Sequence, residues 1–430
     1  MSVTPEPGLL GPQISLFDHA LQLHRAVPDS PLPRDGEPYP DAQLHAGARP
    51  RSPKDRRRQG IEAAAVLDRH FAQPGAQPSD LADAFHDVFV PIHHNEHITA
   101  AARRADRQRV RETGSWLVRH STDRCSATVG LAMLASDWTA EDIPLIQTIG
   151  LLSDRFGPLA AHALQRRQGG TEALLWLAER AAGWGRVYVI EALCKGRAWQ
   201  ARPWLLRRAC DGDFLNGYFA GQVASAAHLH EAITASSADD DLVDHAGRLL
   251  RIMTDCGGMG MSLAEYPPAP AVLLAHAGHA RRQAPTLARY ASAAAIARYL
   301  AKPETGTDWP PGRREDILRR YLAFLNQDAW TSLARAGLAA GDSRVSWLAS
   351  IVEPGVGLRA FAASGGEPAA GLSFACAFCS RSIQADAPDL LTVTVTRDGV
   401  AASQELFTHG SCLTSRLAAR LPLGEVFGIG

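Results

Sequence analysis

The sequence describes a long and nearly neutral chain. It has 430 residues, of which 46% are hydrophobic, and its formal net charge at pH 7 is -1. A chain of this length exceeds one ordinary hydrophobic core, so we expect two or three domains or one elongated array. The near-zero net charge excludes a general electrostatic attraction to DNA or to an anionic membrane and leaves only local basic patches for such contacts.

No targeting or membrane segment is recognisable in the sequence. Residues 1–10 lack the basic region followed by an apolar stretch that marks a signal peptide. No stretch reaches the roughly 18 uninterrupted apolar residues that a membrane helix needs. We therefore expect no membrane association and a cytoplasmic location. Only three residues are Lys, whereas Arg, Ala and Gly abound, which is typical of a GC-rich bacterial genome.

Residues 1–51 form an arm rich in proline and polar residues. One short amphipathic helix is expected at residues 14–27, with an apolar face that includes Phe17 and Leu21. Residues 28–40 cannot form a regular helix, because their prolines lack a backbone N–H and restrict the residue before them. We interpret this stretch as a linker or as an extended arm that lies on the main body.

Residues 52–363 contain a long succession of helical patterns. Ser52 and Pro53 suit a helix start, and another helix is predicted from Pro78. The apolar periodicity predicts about sixteen to eighteen helices in all and no strand before residue 390. Short helix pairs joined by short loops favour an α-solenoid, in which each pair buries its apolar face against its neighbours.

The segment 143–210 contains helix pairs with a recurring pattern. At 183–194 an Arg is followed by an apolar run, and a proline-led second helix follows at 201–210. This pattern resembles a bacterial HEAT-like repeat. The resemblance implies a mainly α fold, an irregular α-solenoid of helix pairs, that serves as a curved protein-binding scaffold; it does not name a ligand. The residues that carry it are Arg186, Ile190, Ala192, Leu193, Pro203 and Leu206.

The sequence changes character after the helical region. Residues 364–371 have the composition of a flexible linker, and residues 372–430 are predicted to form a small α+β module. Alternating residues predict a strand at Leu390–Thr396, and residues 404–408 return as its partner after an Asp-Gly turn signal. A helix is predicted at 411–421.

Four side chains in this module have the spacing of a zinc site. Cys376-x-x-Cys379 is followed, after 29 intervening residues, by His409-x-x-Cys412. Clustered cysteines in a large chain without a signal peptide indicate metal rather than disulfides. Zinc prefers four tetrahedral nitrogen and sulfur ligands, and bound metal supplies folding energy that a small domain lacks. We predict a structural Zn²⁺ ion here; reduced, unliganded cysteines beside a coincidental histidine are the alternative.

The arrangement of these ligands resembles a treble-clef zinc finger of the poly(ADP-ribose) polymerase type, with the spacing C-x2-C-x29-H-x2-C. Ile383 after the first pair and Phe407 before the second also fit. That family recognises DNA breaks through a basic face. Residues 374–430, however, carry four Arg against five acidic residues, so the module lacks the charge on which nucleic-acid affinity depends. We carry over the ligands and not the DNA function.

Residues 176–219 interleave aromatic residues with Arg. Trp, Tyr and Arg dominate the energetic centres of protein interfaces. One interpretation is a concave recognition surface, and the other is an ordinary helical core with a solvated Arg-bearing face. The candidate partner-binding residues are Trp184, Arg186, Tyr188, Trp204, Arg207, Arg208 and Tyr218.

Three further motifs have structural interpretations that we favour. Residues 93–97 hold three histidines and Glu96, but not in the H-E-x-x-H order of a zinc protease. Residues 255–261 form a glycine-rich loop without a phosphate-loop or dinucleotide pattern, in which Cys256 is a candidate reactive thiol. The basic run at 49–58 suits a solvated linker, with nucleic-acid contact as the alternative.

These observations predict a non-enzymatic interaction scaffold. No Ser/His/Asp, paired-carboxylate or cofactor pattern stands out, so we expect the helical repeats to bind a protein partner and the zinc module to be structural. A nucleic-acid-associated protein that uses residues 49–58 with the finger is the first alternative. An enzyme with a site near residues 93–97 or Cys256 is the second.

Overall fold

The computed structural model describes residues 14–45, 53–196, 198–302, 309–345, 347, 373–379, 381–384, 387–396 and 403–414. Contacts within the chain divide it into two units, Met1–Leu229 and His230–Gly430. The predicted fold class, mainly α with a small strand-containing module, is confirmed. None of the described helices combines the length and the apolarity needed to traverse a lipid bilayer. The predicted linker at 364–371 lies outside the described residues.

Helices dominate the first unit. Several begin at a polar cap, as at Asn95, Asp106 and Asp123, whose side chains accept hydrogen bonds from backbone N–H groups of the following turn. The helices are α1 (Leu16–Ala26), α2 (Ile61–Phe71), α3 (Glu96–Arg104), α4 (Arg107–His120), α5 (Arg124–Ala135), α6 (Ile143–Gly150), α7 (Ser153–Gln165), α8 (Gly170–Ala178), α9 (Gly183–Lys195), α10 (Ala198–Arg208) and α11 (Ala220–Ala226).

The helices from α4 to α11 alternate between two layers. In one layer α4, α6, α8 and α10 pack on one another in order, and in the other α5, α7, α9 and α11 do the same. The two layers meet within the consecutive pairs α4–α5, α6–α7, α8–α9 and α10–α11. Buried side chains such as Leu134, Ile149, Leu164 and Leu177 fill the space between them. Each pair thus buries its apolar surface against its neighbours, as in an α-solenoid.

Three helices of the second layer carry an arginine at a constant spacing along the chain. Arg124, Arg155 and Arg186 lie near the N-termini of α5, α7 and α9, and each follows the previous one by 31 residues. Arg124 and Arg186 are buried, and Arg155 is half-buried. These three helices therefore each carry an arginine in their first turn.

Residues 27–45 of the predicted N-terminal region, called the arm from here on, pack on the helices of the first unit. The carboxylate of Asp35 accepts hydrogen bonds from the N–H groups of Ser153 and Asp154, at 2.7 and 2.8 Å, at the start of α7. Asp41 accepts four hydrogen bonds of 2.6–3.0 Å from the backbone and guanidinium of Arg124. Of the two interpretations of residues 28–40, the arm that lies on the helical body is the one observed.

Two predicted helix starts are wrong. Pro53 precedes a single 3₁₀ turn, Arg56–Arg58, and α2 begins only after Gly60. Gly60 has a φ of +86°, a left-handed conformation that separates the turn from the helix. The segment Pro78–Leu81 is likewise one 3₁₀ turn rather than the start of a long helix.

The second unit shows the same alternation of helices. Helices α13, α15 and α17 pack in order, α14 packs on α16, and the pairs α13–α14 and α15–α16 join the two sets. In the core, His276 Nδ1 lies 2.8 Å from the hydroxyl of Tyr321, and both side chains are buried. The helices are α12 (Leu229–Thr234), α13 (Asp240–Thr254), α14 (Ala269–Ala280), α15 (Leu287–Ala301), α16 (Arg313–Leu325) and α17 (Asp328–Ala339).

The C-terminal module contains two antiparallel hairpins among its described residues. Strands β1 (Ser373–Ala375) and β2 (Ser382–Gln384) form the first. Strands β3 (Leu390–Thr396) and β4 (Ser403–His409) form the second. The expectation of no strand before residue 390 is therefore wrong, because three-residue strands are too short to show an alternating pattern.

The remaining predictions for this module are only partly covered by the structure. Helix α18 (Gly410–Thr414) begins where the last helix was predicted. The rest of the predicted helix at 411–421 and the Asp-Gly turn lie outside the described residues.

Candidate metal centre

A tight loop positions the first pair of cysteines. Cys376 and Cys379 lie between β1 and β2, so the pairing of these strands holds both ends of the loop. The N–H of Cys376 donates to the carbonyl of Arg381 at 2.9 Å and closes it. Cys376 is buried and Cys379 is half-buried. The two-residue gap lets both sulfurs face one point.

The second pair lies where β4 runs into α18. His409 is the last residue of β4, and Cys412 follows within α18. The N–H of Ala377 donates to the carbonyl of Phe407 at 2.9 Å, which fastens the cysteine loop to β4. The N–H of Gly410 donates to the carbonyl of Asp389, the residue before β3, at 2.8 Å and fixes the start of the helix. A loop, a strand end and a helix therefore present the four side chains together.

The four ligand atoms converge on one place. All of them lie within 4.8 Å of one another. His409 Nδ1 is 3.5 Å from Cys379 Sγ and 3.8 Å from Cys412 Sγ. Tetrahedral coordination by zinc would place a sulfur and a nitrogen about 3.6 Å apart. The donor types and their spacing thus fit a four-coordinate metal ion, and the group can hold one.

Neighbouring groups shift the pKa values of two of the sulfurs in opposite directions. Burial opposes ionisation of Cys376, but hydrogen bonds from the backbone of His409 and the hydroxyl of Thr408 outweigh it and lower the pKa of this thiol to about 5. The hydrogen bond with Cys379, together with burial and the nearby Cys376, raises the pKa of Cys412 to about 11. Thiolates this close repel one another, so a full set of charged sulfurs needs a positive ion between them.

Three of the candidate partner-binding residues form one aromatic cluster, Trp184, Tyr188 and Tyr218. The rings of Trp184 and Tyr188 stack with centroids 6.1 Å apart, and Tyr218 lies 4.7 Å from Trp184. Trp184 is 39% exposed, and both tyrosines are half-buried. The exposed carboxylate of Asp154 lies beside them, accepting the N–H of Gly185 at 3.3 Å. Burial and the charge of Asp154 raise the pKa of Tyr188.

The other candidates in this stretch differ in their surroundings. Arg186 is 7% exposed, and each of its three guanidinium nitrogens donates to a backbone carbonyl at 2.6–3.0 Å. It lies over the ring of Trp204, whose indole N–H donates to Glu179. The structure therefore places Arg186 inside the fold, where it ties α9 to neighbouring backbone. Arg207 is half-buried and Arg208 is exposed.

The histidine stretch and the glycine-rich loop have internal contacts. The side chain of Asn95 caps α3, and His97 Nε2 lies 2.7 Å from the carbonyl of Arg57. Within the described residues no group of three metal-binding side chains forms in the histidine stretch. Cys256 is buried, and its thiol donates to the carbonyl of Gly260 at 3.3 Å within the same loop. These contacts agree with the structural interpretation of both motifs.

A second polar cluster has no counterpart among the motifs of the sequence. His45 Nε2 lies 3.0 Å from the carboxylate of Asp123, and a ligand atom of Cys125 lies within 4.8 Å of both. The histidine and the carboxylate are 78 residues apart in the chain, so no local spacing reveals them. The Asp-Arg dipeptide at 123–124 is no such signal, because it recurs at 55–56, 68–69, 106–107 and 154–155.

No protein-family model, curated protein or solved structure matches this chain. The HEAT-like and poly(ADP-ribose) polymerase-type resemblances therefore depend on the residue patterns that carry them.

Proposed function

We propose that Cys376, Cys379, His409 and Cys412 hold a structural Zn²⁺ ion. Three sulfurs and one imidazole nitrogen are a donor set that zinc prefers. The protein fills all four positions of the tetrahedron, so no open position remains for a substrate. The ion then supplies folding energy to a module with little core of its own. The order of cysteine loop, hairpin and helix supports the treble-clef resemblance.

Metal analysis of single-cysteine variants tests the zinc site. We expect Cys376→Ser to lose one zinc equivalent per chain relative to the wild type. Cys194→Ser is the matched control, because this half-buried cysteine lies in α9, outside the module. It should keep the wild-type metal content, and circular dichroism should show unchanged helix content in both variants. A full zinc complement in Cys376→Ser contradicts the proposal.

We infer that the protein is a non-enzymatic scaffold whose helical repeats bind a protein partner. The observation that carries this inference is the aromatic cluster of Trp184, Tyr188 and Tyr218. Aromatic side chains offer a large contact area with few rotatable bonds, which makes them frequent interface anchors. Their mutual stacking and the packing of α9 hold them in place before a partner arrives, which lowers the entropic cost of binding.

The charge beside this cluster favours a partner that presents a Lys or Arg side chain. The faces of Trp and Tyr rings attract cations, and the carboxylate of Asp154 adds a negative charge next to them. The other nearby carboxylate, Glu191, is paired with Lys195 at 3.0 Å. Asp154 therefore contributes most of the electrostatic attraction in this proposal.

Comparative affinity capture from the cells of origin tests the scaffold. A protein retained by the wild type should be lost with Trp184→Ala and Asp154→Asn and retained with Trp138→Ala, which removes an exposed Trp elsewhere in the first unit. The purified partner should then bind the wild type in isolation, at least about tenfold more tightly than Trp184→Ala. Equal binding by both forms contradicts the role of the cluster.

A further inference from the structure

We propose that His45, His86, Asp123 and Cys125 form a second zinc site, in the first unit and separate from the C-terminal module. The four side chains come from three places in the chain: His45 from the N-terminal arm, His86 from the segment before α3, and the other two from the start of α5. Two imidazoles, a carboxylate and a thiolate are all established zinc ligands.

The distances in this cluster match a coordination shell. His45 Nε2 and His86 Nδ1 both lie 3.0 Å from the same oxygen, Oδ2 of Asp123. Nitrogen and oxygen ligands of a tetrahedral zinc ion are about 3.3 Å apart. Ligand atoms of His45, Asp123 and Cys125 all fall within 4.8 Å of one another. His86 lies outside this group of three, so its ring has to approach the other ligands before one ion can bind all four side chains.

The surroundings are enclosed and preorganised. The side chains of His45 and Asp123 are 7% and 5% exposed, whereas His86, at 38%, leaves a path from solvent. The other oxygen of Asp123 accepts the N–H groups of Cys125 and Ser126, at 2.7 and 3.2 Å, which fixes the carboxylate. His45 Nε2 also lies 3.3 Å from the carboxylate of Asp41, which forms an ion pair with Arg124.

Arg155 supplies an independent argument. Its Nη2 lies 3.8 Å from Cys125 Sγ, and its Nε is buried without a hydrogen-bond partner. The carboxylate of Asp41 and the sulfur of Cys125 both attract the charge of Arg155. Bound metal converts the thiol of Cys125 to a thiolate, which accepts the hydrogen bond from Arg155 more strongly than a neutral thiol does.

The charges of the proposed site balance. One Zn²⁺ ion is neutralised by the thiolate of Cys125 and the carboxylate of Asp123, while both imidazoles bind as neutral ligands. Since His45 belongs to the arm and Asp123 caps α5, the ion would fasten the arm to the helical body. The site therefore has a structural role.

Metal content of the full-length protein tests the second site. We expect two zinc equivalents in the wild type and one in Cys376→Ser/Cys412→Ser. In that background Cys125→Ser should remove the remaining ion, and Cys194→Ser should keep it. His86→Ala, at a partly exposed position, should weaken zinc binding at least about tenfold without unfolding the chain, and the exposed His120→Ala should not.

Cobalt substitution gives a second readout. In the Cys376→Ser/Cys412→Ser background, Co²⁺ should show a thiolate charge-transfer band that Cys125→Ser abolishes. A single zinc equivalent in the wild type that disappears with Cys376→Ser/Cys412→Ser would overturn this site while leaving the C-terminal one in place. A second equivalent that survives both Cys125→Ser and His86→Ala would overturn it too.

Discussion

The carboxylate of Asp35 accepts a 2.7 Å hydrogen bond from the backbone N–H of Ser153, a residue 118 positions further along the chain. The residue that precedes α7 in sequence, Leu152, has no side-chain acceptor for this purpose. The N-terminal arm thus provides the cap that the helix itself lacks. Asp35 has a φ of +54°, a left-handed conformation that Asp and Asn adopt more readily than other residues.

Removing this cap should destabilise the first unit. We expect Asp35→Ala to lower the free energy of unfolding by about 1–2 kcal/mol, the usual effect of losing a helix cap. Asp35→Asn should lower the free energy of unfolding by less, because its amide oxygen can still accept the backbone hydrogen bond and Asn also tolerates the left-handed conformation. Urea unfolding followed by tryptophan fluorescence measures both. Glu37→Ala, at an exposed position in the same arm, is the control; an equal loss there would contradict the capping role.

His276 should make the protein less stable in mild acid. Burial lowers its pKa to about 4 in the folded protein, whereas histidine in an unfolded chain has a pKa of about 6.5. Below that pH the unfolded chain takes up a proton that the folded protein does not, so stability falls as pH drops from 6.5 towards 4. At pH 5 the loss from this one group is about 2 kcal/mol.

Denaturant unfolding at pH 7 and pH 5 checks this prediction. The decrease in stability between the two pH values should shrink in His276→Gln, which cannot be protonated. The exposed His120→Gln should keep the wild-type decrease. An identical pH dependence in the wild type and His276→Gln would show that His276 does not set it.

Two helical glycines should respond to Ala with opposite signs. A Cβ at Gly247, in α13, would lie 2.7 Å from Nε2 of the buried His276, whereas a Cβ at Gly278, in α14, meets nothing within 4 Å. Gly278→Ala should stabilise the protein by about 0.5–1 kcal/mol, because Ala favours helix. Gly247→Ala should destabilise it by about 1–3 kcal/mol through overpacking. Thermal unfolding measures the melting temperature of both variants. Shifts of the melting temperature in the same direction would contradict the packing around His276.

Duplex DNA should bind weakly or not at all. Arg56, Arg57 and Arg58 are exposed, but three cations on a chain with net charge -1 make few phosphate contacts. We expect no saturable binding at physiological salt and no change on replacing all three with Ala. Fluorescence anisotropy against salt concentration measures this. A steep salt dependence that the triple variant abolishes would instead favour the nucleic-acid hypothesis.

The four metal ligands of the C-terminal module could be predicted from the sequence because they form two pairs, each of which is close together in the chain. Cys376 and Cys379 share one loop, His409 and Cys412 share one strand-to-helix junction, and the strand pattern at Leu390–Thr396 indicates how the two pairs meet. The short strands β1 and β2 could not be predicted, since three residues carry no period.

The surroundings of the arginines could not be read from the sequence in the same way. An arginine among aromatic residues, as Arg186 is in the sequence, is typical of an exposed interface. In the structure its guanidinium is instead enclosed and donates to three backbone carbonyls. The pairing of His45 with Asp123 joins segments that only the folded arm brings together. The 31-residue spacing of Arg124, Arg155 and Arg186 can be counted in the sequence. Only the helix boundaries show that each of these residues lies near the N-terminus of a helix.

The docking of the arm has a consequence for biosynthesis. The arm leaves the ribosome before α5 and α7 exist, and its acceptors for Arg124 and Ser153 stay unsatisfied until those helices emerge. Water has to solvate Asp35 and Asp41 during that interval. Synthesis of the α6–α7 pair therefore supplies the last of these two partners of the arm, so a translational pause before α7 would prolong the time for which Asp35 is solvated by water.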